Sequence, residues 1–228
     1  EAVFGEKGVI KGARPGLIIA DCSTAEPDAT VRLAGELAKS DITLVDTPLT
    51  RTPREAEAGK LGMMTGGDPG ILSRIRPVMD SFADTIIHAG PVGSGHRLKL
   101  INNFIAEAIA AAPAEACAAA VKSGLSLRKL HEVISAGAVN SGIFQLMVGR
   151  MLDGNGDLTG LKFTLVNAMK DLRYYTHLAE ALPAPCIVGE AVHQSIVTAN
   201  LLGFGDKYVA SLIEAQEKLA GVAIVPRA

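Results

Sequence analysis

The hydrophobic pattern of this chain changes its period near Gly95, and that change constrains the fold more than any other feature. Before it, apolar runs of strand length alternate with helical stripes. Runs 17–21, 42–46, 61–65 and 85–88 are short and apolar, as buried parallel strands are. Between the first two, Pro27 fits the first turn of a helix through Val31, Leu33, Ala34 and Leu37. Residues 47–53 carry two prolines and read as a loop. A further helix follows Asp68 and Pro69, with Ile71, Leu72, Ile75, Val78 and Met79 on one stripe. After Gly95 only helical periodicity remains. A helix over residues 94–123 would span roughly 45 Å, with Pro113 predicting a bend and Gly124 an end. Helices over 127–136, 141–152, 161–182, 187–202 and 208–220 follow, with Ser126 and Asp206 as caps. The reading is an α/β domain over residues 1–93 followed by an all-α domain over 94–228 that opens with a long interdomain helix.

Composition excludes several function classes. Of 228 residues, 48% are hydrophobic and 20% charged, with a net charge of −2, which argues against a nucleic-acid groove or a polybasic membrane patch. Aromatic residues make up 4% and Trp is missing, so base-stacking platforms are not expected. Cys22, Cys117 and Cys186 are scattered, and neither they nor the five histidines show metal-ligand spacing, so no metal is expected. The small-apolar run 106–121 contains Glu107, Pro113 and Glu115, against a membrane span. No signal-peptide pattern opens the sequence, and the expectation is a cytoplasmic protein.

Lys99 and Asn103 lie four residues apart just after Gly93 and Gly95, so on a helix an ammonium and a carboxamide share one face. Leu98, Ile101 and Ile105 fall on another stripe, expected to face a core. Such a pair suits protonation of a carbonyl oxygen and retention of a substrate. No Gly-x-Gly-x-x-Gly follows a strand near the start, so the turn that cradles a dinucleotide pyrophosphate is not in this sequence.

Four blocks, in order, resemble the β-hydroxyacid dehydrogenases, the family of 3-hydroxyisobutyrate dehydrogenase, tartronate semialdehyde reductase and sulfolactaldehyde reductase. Asp21-Cys22-Ser23-Thr24-Ala25-Glu26-Pro27 is similar to the family's turn that touches the cofactor. Asp46-Thr47-Pro48-Leu49-Thr50-Arg51-Thr52, with Gly59, Gly66 and Gly67 downstream, is similar to its substrate loop. Gly93-x-Gly95-x-x-x-Lys99-x-x-x-Asn103 is similar to its catalytic helix, and Phe163, Lys170, Asp171 and Leu172 to a later block.

The resemblance implies a Rossmann-type domain, here N-terminally incomplete and short of its first βαβ unit, followed by an all-α domain that pairs with a second subunit. It implies NAD or NADP as cofactor, with Thr24, Phe163 and Lys170 binding it. It implies Lys99 as general acid or base and Asn103 as a substrate-binding residue. Thr50, Arg51 and Thr52 stand where most members carry Ser-Gly-Gly, and they are expected to hold the substrate's acid group. The arginine supplies a charged planar fork for anionic oxygens. The implied activity interconverts a small 3-hydroxy acid and its semialdehyde, the partner being a small anionic aldehyde or hydroxy acid. The implied assembly is a homodimer or higher homo-oligomer. Alternatives are a sulfolactaldehyde reductase whose arginine binds the sulfonate, an imine reductase of the same fold, and a non-enzymatic or truncated dimerisation or ligand-binding module. Lys99 argues against the imine reductase, which replaces that lysine.

Overall fold

The computed structural model describes residues 2–227, which form two compact units divided in sequence between Leu100 and Ile101. The first unit is a five-stranded mixed sheet with helices. A single 3-10 turn, Val9–Gly12, precedes β1 (Ile18–Asp21), α1 (Pro27–Ala38) and β2 (Thr43–Asp46). Then come β3 (Leu49–Thr50), α2 (Pro53–Glu57), β4 (Leu61–Gly66), α3 (Pro69–Met79) and β5 (Ala83–Gly90). β1 pairs β2 in parallel, from Ile18 opposite Thr43 to Asp21 opposite Asp46, and β4 pairs β5 in parallel. The two parallel pairs are joined by an antiparallel link, Asp46 opposite Gly66, and β3 pairs antiparallel with β4. Residues 47–53 are therefore not all loop. The chain leaves β2, crosses Thr47 and Pro48, and continues as β3, with Pro48 O accepting from the Met64 amide at 3.1 Å. Pro48 lacks a donor but keeps its carbonyl, so it does not interrupt this pairing.

Two apolar layers hold this unit. Leu37 from α1 packs with Ile42 and Leu44, and Met79 from α3 packs with Met63 and Ala83. Asp68 caps α3 by accepting from the Ile71 amide at 3.0 Å, with Pro69 at the first helical position.

A continuous helix, α4 (Ser94–Lys122), runs from one unit into the next and passes Pro113 without a break. It is long and apolar enough to cross a membrane by length and composition alone. Within the second unit its buried side, Ala110, Ala111, Ala114, Cys117 and Ala118, forms part of the core. Small side chains there let neighbouring helices approach closely. The expected core stripe is corrected. Ile101 and Ile105 are about half exposed, whereas Leu100, Asn103 and Glu107 are buried. Polar residues win the inward face because a buried acid lies within hydrogen-bond distance of Asn103, as described below.

The rest of the second unit is helical: α5 (Leu127–Ala136), α6 (Gly142–Phe144), α7 (Arg150–Asp153), α8 (Leu165–Ala181), α9 (Ile187–Ala199) and α10 (Leu212–Ala220). Several expected helices are interrupted. The one over 141–152 widens into a π turn at Gln145–Gly149. Gly149 lies there so close to Gln145 and His131 that an added Cβ would come within 2.8 Å of the Gln145 side-chain oxygen. The helix expected from 161 begins at Leu165, because Phe163 O accepts from the Val209 amide and the Leu165 amide donates to Lys207 O. The helix expected to reach 202 gives way to a π turn at Asn200–Phe204, with Gly203 at φ +92°. Asp206 does not cap the last helix. A 3-10 turn, Val209–Ser211, intervenes and Ser211 takes the cap position. Ser126 occupies the cap position of α5 without a side-chain bond.

Candidate active site

The entry of α4 is built by one buried acid and two glycines. Asp46, at the C-terminal end of β2, is fully buried. Its carboxylate accepts from the Gly93 amide at 2.6 Å and the His96 amide at 2.8 Å. It thereby satisfies orphan donors at the helix start, where the helix dipole also favours negative charge. Gly93 sits at φ +91°, which an L side chain rarely adopts. Gly95 lies against β4, and a Cβ there would come within 2.5 Å of Met64 O. The helix start can seat this close to the sheet only because that side chain is missing. Lys99, partly buried, follows one turn later.

His96, near the candidate lysine in sequence, is fully buried. Its Nδ1 lies 2.8 Å from Thr30 Oγ1 and its Nε2 3.1 Å from Ser23 O. It faces the loop that carries Thr24. That loop follows β1 and leads into α1, which opens at Pro27 with no side-chain cap at Glu26. Thr24 is thus not the cap of α1.

The substrate loop is distributed along β3 and α2. Thr50 ends β3 opposite Gly62. Thr52 caps α2 in a capping box with Glu55, whose carboxylate accepts from the Thr52 amide at 3.0 Å. The Thr52 hydroxyl, and then its amide, hold the Glu55 carboxyl below the usual carboxylate range. The spacing Thr52-x-x-Glu55 was the available signal for this box. Arg51 adopts φ +77°, and its guanidinium donates to Lys60 O, to Asp84 Oδ1 at 2.7 Å and to Thr85 Oγ1 at 2.9 Å. Its fork therefore faces the starts of β4 and β5 and grips a carboxylate. The Thr85 hydroxyl, and then Arg51, hold the Asp84 carboxyl low.

In the second unit, Asn103 Nδ2 donates to Asp171 Oδ2 at 2.7 Å, with both residues buried. Asp171 Oδ1 in turn pairs with the Lys170 ammonium at 2.9 Å, and Lys170 lies over the Tyr174 ring at 5.2 Å. The structure thus brings together Asn103, Lys170 and Asp171. Asp171, a member of the later block beside Lys170, is the residue that holds the carboxamide. Charge-assisted bonds of this kind are stronger than neutral ones, so the carboxamide is held in a defined orientation. Phe163 packs against the core of this unit while its backbone pairs with Val209.

No group of three or more His, Cys, Asp or Glu residues among the described residues is arranged to hold a metal ion. The residues fit a dinucleotide in one respect. Loops leave the C-terminal ends of the adjacent parallel strands β1 and β2, where nucleotides bind on open α/β sheets, and α1 starts there without a side-chain cap.

Comparison with known proteins agrees with this architecture. Residues 1–90 match the family model described as the NAD binding domain of 6-phosphogluconate dehydrogenase. Residues 93–215 match the model described as NAD-binding of NADP-dependent 3-hydroxyisobutyrate dehydrogenase. The chain is 27% identical to 2-(hydroxymethyl)glutarate dehydrogenase of Eubacterium barkeri, over 96% of this chain and 72% of that protein. It is 29% identical to 3-sulfolactaldehyde reductase of Escherichia coli, over 96% of this chain and 73% of that protein. The solved structure of Mycobacterium tuberculosis 3-hydroxyisobutyrate dehydrogenase with L-serine is 25% identical and superposes with a TM-score of 0.80, over 90% of this chain and 72% of that one. With a Rossmann-type sheet unit followed by a helical unit, and both halves matched by NAD-binding family models, the chain belongs to the β-hydroxyacid dehydrogenase family of NAD(P)-dependent oxidoreductases.

Proposed function

We propose that the protein interconverts a small 3-hydroxy acid and its semialdehyde, with Lys99 as the general acid and base. The observation that carries this reading is the placement of Lys99 at the glycine-entered, Asp46-capped start of α4. The cofactor, NAD or NADP, supplies or accepts the hydride when bound. As hydride reaches the carbonyl carbon, negative charge develops on its oxygen, and the Lys99 ammonium donates a proton there. In the reverse direction the neutral amine takes the proton from the substrate hydroxyl. Asn103, oriented by Asp171, hydrogen-bonds the substrate. Thr50, Arg51 and Thr52 hold the acid group, for which an anionic substrate must replace Asp84 on the Arg51 fork. Thr24, Phe163 and Lys170 bind the cofactor.

A sulfonate substrate is a second reading, favoured by the arginine fork and by the similarity to 3-sulfolactaldehyde reductase. The protein is read as cytoplasmic and homodimeric. The half-exposed stripe of Ile101, Ile105 and Ile109 along α4 supports association of helical units, since apolar patches on soluble proteins mark interfaces.

The test is titration with NADH and NADPH, then steady-state rates with tartronate semialdehyde, succinic semialdehyde and sulfolactaldehyde. Cofactor binding with turnover of a carboxylate semialdehyde supports the main reading. Strong preference for sulfolactaldehyde, lost in Arg51→Ala, selects the sulfonate reading. Failure to bind either cofactor overturns both and leaves a non-enzymatic module. Light scattering that gives a monomer mass overturns the dimer.

A further inference from the structure

We propose that His96 is a positioning residue that ties the loop carrying Thr24 to the helix carrying Lys99. The proposal rests on the activity reading above. It starts from a cost. His96 is fully buried in the first turn of α4, where an apolar side chain would fill the space without any polar atom to satisfy. The imidazole instead spans two segments distant in sequence, reaching Ser23 O at 3.1 Å and Thr30 Oγ1 at 2.8 Å.

Hydrogen-bond chemistry assigns a direction to this link. Ser23 O is a carbonyl oxygen and only accepts, so Nε2 carries a hydrogen. In the neutral ring Nδ1 then accepts, and its partner is the Thr30 hydroxyl. That hydroxyl also lies 3.2 Å from Glu26 O, a longer separation, so the ring is its better acceptor. The result is a relay in which Thr30 donates to the ring and the ring donates to Ser23 O. One end is fixed in α1. The other is fixed in the turn where the Ser23 amide donates to Asp21 Oδ1 at 2.9 Å. The His96 backbone amide is itself held by Asp46. A single residue thus joins the ends of β1 and β2, the start of α1 and the start of α4. Thr24 follows Ser23 directly, and Lys99 is three residues beyond His96 on the same helix. The loop and the lysine therefore keep a fixed separation when substrate and cofactor bind, and effective catalysis depends on such fixed geometry.

Two substitutions in the whole protein separate the ends of the relay. His96→Gln can place an amide N–H toward Ser23 O but loses the Nδ1 acceptor. His96→Asn can place an oxygen where Nδ1 was but does not reach Ser23 O. Asn is one methylene shorter than Gln and leaves the larger cavity, so it should lower Tm further, and the readouts are taken well below both melting temperatures. The Asn variant is expected to weaken NADH or NADPH binding about tenfold, the effect of losing one hydrogen bond's worth of positioning, while Gln stays within about threefold. Hydrogen exchange of amides 22–25 should quicken in Asn and not in Gln. If the two variants shift cofactor affinity equally, or only in step with their loss of Tm and without faster exchange of amides 22–25 in Asn, His96 only fills space and the proposal is overturned. Should both fail to fold, Thr30→Val keeps the ring and removes its donor. It is expected to weaken cofactor binding about threefold, and unchanged affinity there overturns the proposal. Wild-type protein that binds neither cofactor defeats the activity reading itself. Wild-type binding with indistinguishable Asn and Gln variants defeats only the role of His96.

Discussion

The two ends of α4 are held by different physics. Its first turns enter through Gly93 and Gly95 and are anchored by buried polar groups, with Asp46 on two backbone amides and His96 between Ser23 and Thr30. Its later turns, from Ala110 onward, bury Ala110, Ala111, Ala114, Cys117 and Ala118 in an apolar core. Hydrogen bonds are directional, so the first arrangement fixes where a side chain such as Lys99 stands. Apolar packing is non-directional and fixes mainly how strongly the helix is held. A chain that must place one ammonium accurately on a long helix gains from having the polar anchor at that end. The intervening turn, with Asn103 bound to Asp171, extends the polar mode into the second unit.

The comparison predicts that substitutions at the first end disturb chemistry and those at the second disturb stability. The largest effect is expected for Lys99→Ala, which should lower kcat by about 10²–10⁴-fold with little change in Tm, the range for loss of a general acid–base group. Retained activity in that variant would break the comparison at its centre and revive the imine-reductase alternative. Next, Ala114→Leu should destabilise the protein by roughly 1–3 kcal/mol through overpacking, with cofactor KM unchanged. Denaturant unfolding and steady-state kinetics read the two together. Asp46→Asn leaves one amide at the helix start without a good acceptor and should cost about 1–3 kcal/mol. Unlike Ala114→Leu, it should also lower kcat, because Lys99 loses its fixed helix entry. Equal kinetic behaviour of these two variants would remove the distinction.

The smallest effect is a difference in thiol reactivity. Burial pushes the Cys117 thiol up to about 11, whereas Cys22 is exposed. The thiolate is the nucleophile, so at pH 8 roughly one Cys117 in a thousand is reactive even before access is considered. Mass spectrometry after alkylation should find Cys22 labelled and Cys117 unmodified. Rapid labelling of Cys117 would mean that the later turns of α4 open readily.

Much of the local structure around the candidate site was legible in the sequence. Pro27 after a strand, Asp68 before Pro69 and the glycines before Lys99 each signal a helix start through backbone chemistry that acts within a few residues. The Thr52-x-x-Glu55 box is equally local, a threonine followed three residues later by a glutamate. The role of Asp171 could not be read from spacing, since it lies 68 residues from Asn103. The same holds for Arg51 and Asp84, 33 residues apart.

By itself, the sequence determined β1, β2, β4 and β5 with the helices α1 and α3, the change to an all-helical half and the family. Periodicity and turn residues act over one or two turns of chain, and four motifs in order are specific. Only the tertiary structure decided which face of α4 is buried. Ile101 and Ile105 carry the hydrophobic pattern yet lie outward, while Asn103 and Glu107 lie inward. It also decided that the segment after β2 continues as a strand, and that two helices widen into π turns. Each of these outcomes depends on partners brought close by folding. A buried polar pair or a close backbone approach changes which local preference wins.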